Sequence, residues 1–356
     1  MAKSKTIILC PYPYGKAPSQ RFRFEQYLLA NDLIDKVNIR SFYSENGMRV
    51  LYGSNLLLKL IYLIFFFIRR KFHVLEALSY SKVYIHRELA PMGPPIYEWL
   101  LHLFGKQIIY DFDDAIWLSN VSDVNAKFDF TKAYWKVKYI IKWANLVTVG
   151  NQYLKDYASQ FNSNVDLIPS TVDLKNVHNI DKKHCEKEKV VIGWTGSHTT
   201  AAKYLPGMKD VFFKLADDHN FELRVISNQK PSLDWPFLKF MPWAVKTEIS
   251  DLSSFDIGIM PIGSQEWEKG KCSFKAIQYM SLGIPTVLSP YGNNLEVVTD
   301  GKDGFFAQTK SEWIERIEAL ILDLQLRKRI GMNAKHTIKN RYSLEAFQEF
   351  YKQILY

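Results

Sequence analysis

Four stretches of the chain carry residue types whose spacing could do chemistry. Tyr110-Asp111-Phe112-Asp113-Asp114-Ala115 sets three carboxylates within four residues. In an extended chain Asp111 and Asp113 share one face and Phe112 takes the other. Such a group could ligate Mg²⁺ through one or two carboxylates. It could equally present a base, or a carboxylate that binds a hydroxyl, to a substrate.

The second stretch is Gly193-Trp194-Thr195-Gly196-Ser197-His198-Thr199-Thr200, with Lys203 just beyond. Glycine, hydroxyls and a helix start are the parts of a phosphate cradle built from backbone N–H groups, a helix dipole and a nearby ammonium. The G-K-[ST] of a Walker A loop is missing, and a simple capped turn would have the same residues. The third runs from Trp267 to Met280 and places Lys271 and Lys275 four apart, on one helical face near a helix start. Two ammonium groups there repel each other and the dipole unless an anion bridges them, and a diphosphate would do so. Downstream, Ser289-Pro290-Tyr291-Gly292-Asn293-Asn294 forms another strand-to-helix loop with backbone donors.

The fourth stretch follows the first strand: PYPYGKAPSQRFRFEQY, residues 11–27. It has no G-x-G-x-x-G, so the dinucleotide fingerprint is absent. Gly15 and Pro18 shape a loop, Ser19 can cap the next helix, and Arg21 and Arg23 follow. The two arginines fit either a solvated helix face or a site for an anion or acceptor.

These stretches need a scaffold that brings strand ends together. Strands are expected at Thr6–Cys10, Val37–Phe42, Val83–His86, Ile108–Phe112, Leu146–Val149 and Val165–Ile168. A second series is expected at Val190–Trp194, Leu223–Ile226, Ile257–Met260 and Thr286–Leu288. Helical patterns lie between them and tight hairpin signals are missing, which argues for parallel sheets covered on both faces. The expected fold class is therefore α/β, with two Rossmann-like domains. Residues 1–168 form the first, 169–188 a polar linker and 189–342 the second, while the terminal helix, within 343–356, packs back on the first. In such sheets ligands sit at the carboxyl ends of the strands, where all four stretches fall.

Composition narrows the partners. The chain has 356 residues, 47% hydrophobic and 23% charged, which excludes wholesale disorder and suggests two domains. Its net charge of +9 favours anionic partners, but no long basic block marks a nucleic-acid binder. Three scattered cysteines, Cys10, Cys185 and Cys272, make neither a disulfide framework nor a zinc cluster. With Met1 leading directly into a strand, a cytoplasmic location is expected. The segment Leu56–Ile68, LLLKLIYLIFFFI, precedes Arg69-Arg70-Lys71. Its unbroken apolar run is too short to span a bilayer. It reads either as a buried domain helix or as a helix in the membrane interface, Phe65–Phe67 dipping in and the basic end on anionic headgroups.

The run FDIGIMPIGSQEWEKGKCSFKAIQYMSLGIPTVLSPYGNNLEVVTDGKDGFF, from Phe255 to Phe306, resembles the donor domain of glycosyltransferase family 4. The IGWTGS, YDFDDA and SQRFRFEQY stretches extend that resemblance over most of the chain. It implies a retaining enzyme of GT-B architecture, its two Rossmann-like domains facing across a cleft. A sugar would pass from a nucleotide diphosphate sugar to a hydroxyl of a glycan or lipid-linked saccharide acceptor, at the inner membrane surface, in polysaccharide synthesis. The implied donor contacts are Gly196, Ser197, Lys203, Lys271, Lys275, Gln278, Gly292, Asn293 and Asn294. Arg21 and Arg23 fall to the acceptor, and Asp113, Asp114 and Lys275 to catalysis, with no metal or other cofactor. The two glutamates usual in this family fall on Gly270 and Gln278 here, and the Lys271/Lys275 pair stands in, a pattern associated with bacterial surface-polysaccharide transferases. Two other readings stay open: a metal-dependent phosphoryl or prenyl-diphosphate enzyme built on Asp111, Asp113 and Asp114, and a catalytically silent binding subunit.

Overall fold

The computed structural model describes residues 6–53, 55–119 and 129–355. Residues 1–5, including the Met1 lead-in, lie outside them. The chain divides into two compact units, Met1–Thr171 with Phe347–Tyr356, and Val172–Ala346.

The first unit holds six strands: β1 (Thr6–Cys10), β2 (Asn38–Ser41), β3 (Lys82–His86), β4 (Gln107–Phe112), β5 (Leu146–Val149) and β6 (Val165–Leu167). They form one parallel sheet in the order β2-β1-β3-β4-β5-β6. Every residue of β1 is buried, as a central strand with helices on both faces requires. Ile7, Ile8, Leu9, Val83, Ile85, Ile108 and Val147 build its core. The helix after β1 begins at Pro18, widens into a π turn over Arg21–Glu25, and resumes over Gln26–Ala30. All five π-turn residues are buried. The terminal helix Gln348–Leu355 belongs to this unit, with Tyr351 stacked on Tyr27 at 5.1 Å between ring centres.

The second unit repeats the plan with β7 (Val190–Thr195), β8 (Phe221–Ser227), β9 (Leu238–Pro242), β10 (Ile257–Met260), β11 (Thr286–Leu288) and β12 (Phe305–Phe306). Its order is β12-β11-β10-β7-β8-β9, again parallel throughout. The core packs Ile192, Trp194, Phe212, Leu223, Ile259 and Ile317. Each such side chain contributes about 1.5–3 kcal/mol on burial. Gly193 in β7 has a packing reason: a Cβ there would sit 2.0 Å from the Phe255 ring.

Two strands were not anticipated. β9 is a half-exposed edge strand with an outward lysine, Lys239, and β12 is only two residues long. The polar stretch 169–188 is no free linker. The division falls between Thr171 and Val172, and the rest is fixed to the second unit. Lys182 pairs with Asp256 at 3.0 Å, and His184 Nε2 lies 2.9 Å from the Gly283 carbonyl.

The apolar segment forms a 22-residue helix, Leu56–Ala77. One face is buried through Phe66, Arg70, Val74 and Ala77, with Phe66 against Phe42 and Tyr43. On the other, Leu57, Ile61, Ile64, Ile68, Phe72 and Leu75 are each more than half exposed. The helix is a domain helix, yet its outer face is apolar. Arg70 is also not at a basic surface end: it is fully buried, donating to the carbonyls of Cys10 (2.7 Å) and Arg40 (3.2 Å). Burial lowers its pKa to about 10. Among the described residues no helix is long and apolar enough to cross a membrane.

Candidate functional site

Read within its own unit, the second sheet has the order 3-2-1-4-5-6, which reverses direction between β7 and β10. Ligands of such sheets bind outside the carboxyl ends at that reversal. The loops leaving β7 and β10 are the ones that carry the lysines. Lys271 Nζ lies 3.9 Å from the centre of the Trp267 ring, and Lys203 Nζ 5.7 Å from the same ring. Lys275 Nζ stands 5.3 Å from the Trp194 ring centre. Indole faces attract cations at these distances and hold long, flexible side chains in place. Gly196 closes the group: a Cβ there would meet Trp194 at 2.6 Å and Lys275 Cε at 2.9 Å.

The helix Phe274–Ser281 starts in an unusual way. Ser273, its N-cap, has φ 53° and does not cap it; its hydroxyl donates to Asn294 Oδ1 at 2.7 Å instead. A non-glycine residue in the left-handed region carries strain, and such strain collects at ligand sites. The N-terminus, positive by its dipole and carrying Lys275 in the first turn, is suited to an anion. Gly292, at φ 55°, turns the loop after β11 so close to Lys269 that a Cβ would lie 3.0 Å from its Cα.

Not every expected donor contact is placed to serve. Ser197 caps the helix His198–Tyr204 through the Thr200 N–H at 3.2 Å, and its oxygen also lies 2.7 Å from the Thr200 hydroxyl. This is the capped-turn alternative for that hydroxyl. Asn294 is fully buried between Ser273 and the Ser289 carbonyl, so it holds the loop rather than facing a ligand. Asn293, 8% exposed, precedes the short helix Asn294–Val297. Gln278 is buried, and its Nε2 has no hydrogen-bond partner.

Glu268 was not singled out from the sequence. Its buried carboxylate accepts from Lys203 Nζ at 2.6 Å and from the Tyr204 hydroxyl at 2.8 Å, while Oε2 has no partner. Burial alone would raise its pKa, but these two bonds outweigh burial and hold it below the usual value. A carboxylate beside two lysines reads in sequence as a surface charge. Only its distance from Lys203 in space reveals it.

The first sheet has the order 2-1-3-4-5-6, with its reversal between β1 and β3. There the three aspartates turn to different partners. Asp111, 1% exposed, is fixed by a buried ion pair with Arg23, by the Thr148 hydroxyl at 2.7 Å and by His86 Nδ1 at 2.8 Å. Burial would raise its pKa, but the Arg23 charge and the His86 bond hold it far below the usual carboxylate range. Asp113 Oδ1 accepts from the Ser19 hydroxyl at 2.7 Å, and Asp114 pairs with Arg87 at 2.8 Å.

Two expectations change as a result. Asp111 and Asp113 do not form a joint metal face, because Asp111 is spent on Arg23, His86 and Thr148. Arg23 is neither a solvated arginine nor an acceptor contact: it is 1% exposed and bonded to Asp111 and the Ile168 carbonyl. Arg21, 9% exposed, lies over the Phe22 ring at 4.9 Å. Among the described residues no three His, Cys, Asp or Glu side chains are grouped to hold a metal. His86, at the carboxyl end of β3, is the member that sequence reading missed. It looks like an ordinary strand residue until Ser19 Oγ is found 2.9 Å from its Nε2.

Glu25 shapes the loop after β1. It is 2% exposed and accepts from the Gly15 N–H at 2.9 Å and from Gln20 Nε2 at 3.1 Å. Burial outweighs these bonds and raises its pKa to about 7.

No curated protein sequence matches this chain. The family model described as glycosyl transferases group 1 matches residues 257–337, which include the Trp267, Lys271 and Lys275 segment. Among solved structures the chain is similar to HepE of Anabaena in complex with UDP and glucose, at TM-score 0.67 and 13% identity, covering 98% of this chain and 99% of that one. A glycosyltransferase of Rickettsia africae aligns at TM-score 0.62 and 14% identity over 98% of each chain. Sucrose-phosphate synthase of Thermosynechococcus elongatus aligns at 0.60 and 15%, over 80% of this chain and 75% of that one. The fold is thus the α/β GT-B fold of glycosyltransferases, and residues 257–337 carry the group 1 glycosyl transferase signature.

Proposed function

We propose that the chain is a retaining glycosyltransferase that moves a hexose-type sugar from a nucleotide diphosphate sugar to a hydroxyl acceptor. The observation that carries this reading is the gathering of Lys203, Lys271 and Lys275 around Trp194 and Trp267 at the switch point of the second sheet. A departing nucleoside diphosphate develops negative charge, and fixed cations beside a helix N-terminus stabilise it as it forms. HepE, similar in fold, was crystallised with UDP and glucose and with UDP-glucose. Gln278 is the candidate for a ribose hydroxyl, since its unpartnered Nε2 can donate to one. Lys271 and Lys275 supply the positive charge, Lys203 being paired with Glu268, so the proposal needs no metal. The leaving diphosphate oxygen takes the acceptor's proton on the same face of the sugar, and no protein nucleophile is invoked. Asp113 and Asp114 orient the acceptor hydroxyl.

The acceptor in this reading is lipid-linked, and the enzyme works at the inner face of the membrane in surface-polysaccharide synthesis. Support comes from the first unit alone. The helix Leu56–Ala77, whose outer face is apolar and exposed, packs beside the helix Ile96–Leu103, which packs beside Lys136–Trp143. Trp99, Trp135 and Tyr139 are exposed there and, with Trp143, line a shallow groove of about 310 Å³. The exposed charges of these helices, Lys71, Lys138 and Lys142, are all cationic. An apolar face rimmed by aromatics and lysines suits an anionic bilayer surface.

The test is product formation. The purified chain is incubated with UDP- and GDP-linked hexoses and a set of lipid-linked saccharides, and the anomer of any product is read by NMR. Transfer with retention supports the proposal. Nucleotide binding without turnover of any sugar would favour a silent binding subunit.

A further inference from the structure

The contacts around Ser19 form a chain that the proposed reaction has not yet used. Asp111 Oδ2 lies 2.8 Å from His86 Nδ1, His86 Nε2 lies 2.9 Å from Ser19 Oγ, and Ser19 Oγ lies 2.7 Å from Asp113 Oδ1. The first two links have the spacing of an orienting carboxylate, a base and a hydroxyl. The third link changes what they can do. A serine hydroxyl has one proton to give, and here two acceptors stand beside it.

The proton count can be followed atom by atom. Asp111 is ionised, held by Arg23 and Thr148, so the proton between it and His86 belongs to Nδ1. If Ser19 gives its proton to Asp113, its oxygen can only accept from His86, and Nε2 must then carry a proton as well. If Ser19 turns its proton to Nε2, it can only accept from Asp113, and the same extra proton must reside on that carboxyl. The two arrangements hold equal numbers of protons and differ by a shift through Ser19. With that proton lost, Ser19 serves one neighbour and leaves the other facing a lone pair.

We propose that Ser19 and His86 are positioning residues that form a proton relay to Asp113, anchored on the buried Asp111–Arg23 pair. This deepens the glycosyltransferase reading and rests on it for the role of Asp113. One end of the relay is rigid. His86 is fully buried at the end of β3, with Phe24 edge-on at 5.7 Å, and Asp111 is locked on β4. The other end is partly exposed, where Asp113 can meet an acceptor hydroxyl. Asp111 contacts His86 directly, Arg23 from the π turn and Tyr84 from β3 act on Asp111, and Asp113 lies beyond Ser19. Arg87, next in sequence, pairs with Asp114 at 2.8 Å and its charge also acts on Asp113. The relay therefore sets how Asp113 is oriented and which charge it presents, without touching substrate itself.

The experiment uses the full chain labelled with ¹⁵N-histidine, and compares the wild type with Ser19→Ala, Ser19→Thr and Asp113→Asn. The His86 ring is read by long-range ¹H–¹⁵N correlation across pH 5–9, and kcat and KM are read across the same range with the donor that turns over. Ser19 is partly exposed, so its alanine variant should fold. The relay requires the protonation pattern of His86 to change in both Ser19→Ala and Asp113→Asn, and to return in Ser19→Thr. It also requires kcat to fall roughly 10- to 100-fold in Ser19→Ala, as loss of a hydrogen bond to a charged group would give. The pH profile should change shape while KM for the donor stays put. A His86 signal indifferent to both Ser19→Ala and Asp113→Asn overturns the relay. A coupled His86 signal in a protein that turns over no nucleotide sugar upholds the relay and overturns the glycosyltransferase reading.

Discussion

Glu25 is a buried acid that the structure holds in a costly state at neutral pH, and its replacement by glutamine gives a graded prediction. The folded protein raises its pKa from 4.5 to about 7, burial being the larger cause and the Gly15 and Gln20 bonds the lesser, opposing ones. A raised acid binds more protons folded than unfolded, so stability falls as pH climbs through that window. The window spans about 2.5 pH units, and at about 1.4 kcal/mol per unit the ionised form costs roughly 3 kcal/mol by pH 8. Glu25→Gln has its own fixed cost, because the amide cannot accept from both Gly15 and Gln20 as well as a carboxylate does. That cost does not vary with pH. The stability of the variant relative to wild type should therefore improve by about 3 kcal/mol between pH 4 and pH 8. Amide hydrogen exchange of β1, corrected for intrinsic rates, reports opening of the first unit without reference to the second. A difference between the two proteins that stays flat with pH would refute the reasoning.

Asp111→Asn leaves Arg23 buried without its counter-charge, so it should cost about 3–5 kcal/mol by the same exchange measurement. Gly292→Ala forces an alanine into a left-handed backbone against Lys269, and should cost about 1–2 kcal/mol and weaken nucleotide affinity with the fold kept, as read by circular dichroism and calorimetry. Replacing Ile61, Ile64 and Ile68 together by glutamate touches only exposed positions, and should abolish flotation with anionic vesicles while leaving thermal stability unchanged; unchanged flotation would remove the membrane from the account.

Much of the scaffold was legible because strands buried on both faces read as short apolar runs. β1, β5, β10 and β11 fall where those runs lie. β9 escaped because an edge strand need not be apolar, and Lys239 interrupts its pattern. The lysines near Trp267 were legible because like charges on one helical face ask for an anion. The first unit was read less well, since sequence cannot show which charges meet in the interior. Arg23 fitted a solvated face or an acceptor site and Arg70 a basic surface end, yet one neutralises Asp111 and the other bonds the carbonyls of Cys10 and Arg40. Asp111 looked like a ligand for the same reason. His86 gave no signal, because its role depends on Ser19, 67 positions away.

The central claim is a diphosphate pocket built on the lysines of the second unit. Calorimetric titration with UDP and with GDP, each in EDTA and then in Mg²⁺, on wild type and Lys275→Ala, tests it most directly. The account predicts that one nucleotide binds in EDTA and that Lys275→Ala weakens it by about 10- to 100-fold, as loss of a charged hydrogen bond would. Binding of neither nucleotide, or binding only with Mg²⁺ and indifferent to Lys275, would contradict it.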